Sequence, residues 1–196
     1  MLRISIVISS LLLLGVSTQI FFKISEERYP YSILVPLERI CSENKDKKFS
    51  NEVIVQLKNV HTKWIEDPKG SDGYRANFCE ADLSSADFVR SMLAGANFRK
   101  AKLQRAKLTR ANLTRADFTE ARLDGATMDH AMLHDAVFQN AEFEAASLQD
   151  TMLYQANLHG ADLSKAKGLT QYQINMACLD KDTKLPPGLS HPQYCS

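Results

Sequence analysis

Large apolar residues recur at every fifth position from Phe78 to Leu163, eighteen times without a slip. Two positions before each stands Ala, with Ser91 and Thr151 as the exceptions. The other three positions are mixed and mostly polar. Such a period is read before any local propensity, because it decides the architecture. An α-helix turns about 100° per residue, so a five-residue step would scatter the apolar positions around the whole cylinder. A flat strand fails too, since an odd period sends successive apolar residues to opposite faces. The pattern is satisfied if the chain turns a corner every five residues. Each large side chain then points to a common axis, and the Ala before it fills a crowded corner.

A longer period supports this reading. Phe78, Phe98, Phe118 and Phe138 fall twenty residues apart, and Leu158 continues the row. Leu93, Leu113, Leu133 and Leu153 form a second row. Twenty residues therefore make one four-sided coil, and stacked coils pair as parallel strands about 4.8 Å apart. Each buried Leu or Phe contributes roughly 1.5–3 kcal/mol before chain entropy is subtracted. One coil alone could not be stable; the stack is.

Residues 76–165 resemble the pentapeptide-repeat family, whose motif is A-[D/N]-L-x-x, in Ala76-Asn77-Phe78, Ala81-Asp82-Leu83 and Ala161-Asp162-Leu163. The resemblance implies an all-β solenoid, a right-handed quadrilateral β-helix capped by short helices. It extends to a lead-in helix around His61-Thr62-Lys63-Trp64 and to a C-terminal cap from Gly168 through Cys178 to Gly188. It implies no single activity.

The flanks read differently. Residues 4–22 carry no charge over nineteen positions, close to the roughly twenty needed to span a bilayer. Residues 1–23 are therefore expected to be a membrane anchor, a transmembrane helix ahead of the solenoid. A cleaved signal peptide and a soluble buried segment remain the alternatives. The weak charge bias favours a single-pass protein with its coil outside the cytoplasm, periplasmic if bacterial; an exported soluble protein is the alternative. Residues 24–49 read as a linker. Over 50–75, Val53, Ile54, Leu57, Val60, Trp64 and Ile65 recur at helical spacing, predicting a capping helix and turn over the open first coil. The repeats occupy 76–167. Over 168–196, Thr170 and Gln173 form a capping box and predict a short helix from Gln171 to about Cys178.

No catalytic motif, phosphate loop or paired-Cys zinc spacing appears, so neither an enzyme nor a cofactor is expected. Asp129, His130, His134 and Asp135 bracket one corner and could hold a metal; the plainer reading is four solvated positions, and no metal site is assigned. The net charge is only +1, but its distribution is uneven. Lys100, Arg105, Arg110 and Arg115 take the same outward position on four successive sides, forming a candidate basic girdle for a polyanion or anionic lipid. Residues 124–162 contain no Lys or Arg. The plain reading of these charges is solvation and pairing between coils, as in Asp82–Lys102 and Arg122–Glu142. Met92, Met132 and Met152 share an outward row with Tyr154 beside it, a candidate protein-contact face. Cys178 and Cys195 are a candidate disulfide, with Cys41 and Cys79 at the other end and connectivity open.

These features predict a non-enzymatic, membrane-tethered scaffold that binds an unidentified protein, held to the membrane through residues 4–22. A homodimer is left open, and nucleic acid is not expected as a partner. The alternative comes from the family resemblance: some members mimic DNA and bind type II topoisomerases. Those rods are acidic and cytosolic, unlike this chain.

Overall fold

The computed structural model describes residues 41, 44–66 and 75–192. The expected anchor at 4–22, most of the linker, and Cys195 lie outside these residues. Among the described residues, no helix is long and apolar enough to cross a membrane.

Residues 76–167 form a four-sided solenoid. Its sides are named here by their central residues. Side one carries Phe78, Phe98, Phe118, Phe138 and Leu158; side two begins at Leu83, side three at Phe88 and side four at Leu93. One hydrogen-bonding rule recurs along the coils. The Asn97 N–H donates down to Ala76 O at 3.0 Å, and the Phe98 N–H donates up to Asp117 O at 2.7 Å. The Lys100 N–H donates up to Thr119 O at 2.8 Å, and the Ala101 N–H closes the corner on Phe98 O at 3.0 Å. The parallel bridges therefore advance by twenty residues, as in Asn77↔Asn97↔Asp117↔Val137↔Asn157.

The corner requires a left-handed residue, seen at Lys100 (φ 56°), Arg105 (φ 58°), Arg110 (φ 58°) and Arg115 (φ 59°). A non-glycine residue there costs about 1 kcal/mol or more, offset by the amide bonds that the corner makes. Inside, the Phe rings of side one stack face to face. Phe98 and Phe118 lie 4.7 Å apart and Phe118 and Phe138 4.8 Å apart, matching the strand spacing. The inward Ala positions from Ala96 to Ala136 are fully buried, leaving no room for a larger side chain.

The N-terminal end is closed by two pieces. The first is residues 44–49, which fell within the linker read from the sequence. They run beside the first coil: the Asp82 N–H donates to Lys47 O at 2.9 Å, and Lys48 bridges Asp82. The register places Phe49 in the Leu83 row of side two, where its ring meets Phe78 at a tilt, 6.3 Å away. A disulfide joins Cys41 to Cys79 beside this segment. The second piece is helix α1, Asn51–Glu66. Ser50 Oγ accepts from the Val53 N–H, and Val53, Ile54 and Leu57 are buried. His61 fastens the helix to the coil. Its Nδ1 accepts from the Ala76 N–H at 2.9 Å, which leaves Nε2–H to donate to Ala94 O at 3.0 Å.

At the C-terminal end, helix α2, Gln171–Met176, replaces the side-four repeat of the fifth coil. The bridges lengthen accordingly to Asn157↔Cys178 and Asp162↔Lys184. Gly168 makes the exit at φ 77°; a Cβ there would lie 2.9 Å from Gln149 backbone atoms. The Thr170–Gln173 capping box starts α2, and the Gln173 side chain then reaches into the last complete coil. Its Nε2 donates to Leu148 O at 3.0 Å, Thr151 O at 3.1 Å and Thr151 Oγ1 at 2.9 Å.

Candidate interaction surface

Side four is the least polar face. Met92, Asn112, Met132 and Met152 form one bridged ladder. Met92 is 43% exposed and Met152 and Tyr154 are each 51% exposed, while Met132 is half-buried. The Tyr154 ring meets the His134 ring edge-on at 6.2 Å. Because α2 takes the next place on this side, its exposed Tyr172 and Met176 extend the face. The five-residue period could not show that extension, since it stops before the helix. The result is an apolar strip on a rigid ladder, with flexible Met side chains suited to adaptable contact.

The basic girdle is not uniform. Of the ten Lys and Arg at 76–165, Arg99, Lys100, Lys102, Arg115, Arg122 and Lys165 form ion pairs with acidic neighbours. Within the girdle, Lys100 lies 3.7 Å from Glu120 and Arg115 lies 3.6 Å from Asp135. Arg105 and Arg110 make no ion pair or side-chain hydrogen bond among the described residues. The expected Arg122–Glu142 pair is present at 3.1 Å. The expected Asp82–Lys102 pair is not formed. Asp82 Oδ1 accepts from the Ser84 N–H at 3.0 Å, and Lys102 turns instead to Asp46, 2.7 Å away. That contact holds the Asp46 carboxyl below its ordinary pKa and raises that of Lys102.

The His–Asp corner does not converge. His130 faces Asp150 at 3.8 Å, His134 packs on Tyr154, Asp135 pairs with Arg115, and Asp129 accepts from Ser147 and the Gln149 N–H. Each group has its own neighbour and none shares a common centre. Among the described residues, no His, Cys, Asp and Glu cluster could hold a metal ion. Cys178 is disulfide-bonded; Cys195, its predicted partner, lies outside the described residues.

A four-sided solenoid with an uninterrupted five-residue period and only outward faces for chemistry defines a pentapeptide-repeat protein. The chain belongs to that family: eight copies of the profile described as Pentapeptide repeats match it, over 74–110, 96–134, 111–150 and 133–167. No curated protein matches the chain. Among solved structures it is similar to a pentapeptide repeat protein from the Arabidopsis thaliana thylakoid lumen. That likeness has 35% identity over 50% of this chain and 68% of the other, with a TM-score of 0.48. A pentapeptide repeat protein from the cyanobacterium Cyanothece 51142 shows 28% identity over 50% of this chain and 63% of its own, with a TM-score of 0.34. HetL, involved in heterocyst differentiation regulation in Nostoc sp. strain PCC 7120, shows 29% identity over 60% of this chain and 56% of its own, with a TM-score of 0.38.

Proposed function

We propose that this chain is a non-enzymatic scaffold, tethered to a membrane through residues 4–22, that presents its coil outside the cytoplasm to another protein. The observation that carries the reading is side four, the strip of Met92, Met132, Met152 and Tyr154 continued by Tyr172 and Met176. Met132 at the middle of the strip stands on backbone bonded to the coils on both sides: its N–H donates to Ala111 O and its carbonyl accepts from the Leu113 N–H. The strip is therefore preorganised, and a partner does not have to order it on binding. The Cys41–Cys79 disulfide and the bonded state of Cys178 support an oxidising compartment. The uncharged run 4–22 supports the tether.

Replacing Met92, Met132 and Met152 by Lys tests the reading. The positions face outward, so folding is retained, whereas a partner that desolvates unpaired Lys loses several kcal/mol. The full chain should resist alkaline carbonate extraction, and its partner should co-purify with the parent protein but not with the triple variant. A variant that keeps the partner, or a chain extracted as soluble protein with its N-terminus intact, contradicts the reading.

A further inference from the structure

Ion pairing divides the basic residues of the coil by face. The four cations at 76–165 without an acidic partner among the described residues are Arg90, Arg105, Lys107 and Arg110. All four belong to side three or its two bounding corners. Lys107 lies mid-side in the Asp87↔Lys107↔Thr127 ladder, Arg105 is at the corner entering side three, and Arg90 and Arg110 are stacked at the corner leaving it. All four are exposed. Helix α1 adds a fifth cation, since Lys58 Nζ donates to Asp87 O at 3.4 Å. Asp87, in the same ladder as Lys107, accepts the Val89 N–H at 3.0 Å. Two apolar side chains stand among these cations: Val89, 38% exposed, next to Arg90, and Val55, 51% exposed, three residues from Lys58 on the same helix face.

We propose that side three of the first two coils, with the adjoining face of α1, docks on an anionic phospholipid bilayer. Three features favour a bilayer over an acidic protein. The side of the coil is flat. Its cations have no side-chain partners that fix their geometry, which suits a diffuse headgroup field better than a set of bidentate contacts. The exposed valines lie inside the basic patch, where shallow contact with the acyl boundary becomes favourable as the cations approach the headgroups. This contact is separate from the tether: it would lay one side of the coil along the bilayer and leave side four, at right angles to it, open.

The test uses the full chain with phosphatidylcholine vesicles, with and without phosphatidylglycerol. Flotation with phosphatidylcholine alone reads the tether. Modification of Lys107 and Lys58 by an amine reagent reads the face, with Lys181 as an exposed reference on another part of the surface. At low salt, labelling of Lys107 and Lys58 should fall roughly tenfold on phosphatidylglycerol vesicles relative to phosphatidylcholine, and Lys181 should not change. High salt should restore the labelling. The combined R90Q, R105Q and R110Q variant should label at Lys107 equally on both vesicles. Equal labelling of the parent protein on the two lipids overturns the proposal. So does protection that survives in the triple variant, or protection by soluble heparin where anionic vesicles give none. A chain that fails to float on phosphatidylcholine but still shows lipid-dependent protection loses the tether and keeps the docking face.

Discussion

Coil two, residues 96–115, and the two ends of the solenoid satisfy the same demand with different chemistry. In coil two every inward side chain is Ala, Leu or Phe, and every inter-coil amide repeats one pattern, so each residue's contribution is shared with equivalently placed neighbours above and below. At the ends the pattern has no next coil to bond to, and single side chains supply what is missing. His61 takes the Ala76 N–H and the Ala94 carbonyl at one end. Gln173 takes the Leu148 and Thr151 carbonyls at the other. Both departures from inward Ala, Ser91 and Thr151, fall on side four, and Thr151 meets the Gln173 of the cap directly. A solenoid is uniform in its middle and bespoke at its ends, so its weak points are its ends.

The comparison is sharpened most by breaking the middle. Phe118→Ala empties one place in a continuous ring stack and should cost about 3–5 kcal/mol, a large fall in melting temperature. Glu120→Gln, two residues on, removes only an exposed pair with Lys100 and should shift stability by under about 1 kcal/mol. Similar melting temperatures for the two variants would contradict the four-sided core.

Breaking a cap should act locally. Gln173→Leu strands the Thr151 carbonyl, whereas Leu148 O keeps the Thr151 hydroxyl at 2.9 Å; the loss should cost about 1–3 kcal/mol. In hydrogen exchange, amides bonded to the C-terminal segment, such as Leu158 and Leu163, should lose protection before those of coil two. Uniform loss along the coil would mean that the end is not a separate unit.

The smallest effect is in acid. The Ser164 hydroxyl, and next the Lys184 ammonium 2.9 Å away, hold the Asp162 carboxyl at about 2, below its ordinary 3.8. A depressed carboxylate stabilises the fold fully above 3.8 and loses that contribution as pH falls through about 2. The amide of Leu163, which donates to Lys184 O, should therefore exchange faster across that window. Asp162→Asn should remove the pH dependence and leave coil two unchanged.

How much of this was legible follows from where the period reaches. From Phe78 to Leu163 the five- and twenty-residue repeats specify side, register and core. Phe49 takes an inward place below Leu83, yet the segment before the repeats has no Ala two positions earlier, only Lys47, and its charged run reads as a linker. Its place comes from backbone bonds and stands beside a disulfide, neither of which has a periodic signature. Outward charge pairing was half legible. The vertical row gave Arg122–Glu142, whereas Lys102 found Asp46 on the segment before the repeats, which the row does not contain. Outward also does not mean exposed. Thr119 is 7% exposed because its hydroxyl folds back on Asp117 at 2.6 Å. The Met strip was legible as a row, whereas its extension by Tyr172 and Met176 depended on α2 replacing a side.

The proposal that side four meets a partner is tested most directly by photo-crosslinking from single positions in the full chain in its native membrane. A photoreactive residue at Met132 or Met152 should trap one protein, and the same residue at Gln139 on side one should trap none. The side-four adduct should disappear when the other two methionines are replaced by Lys. Equal trapping from both sides, or an adduct from side four that persists in that background, would contradict the account.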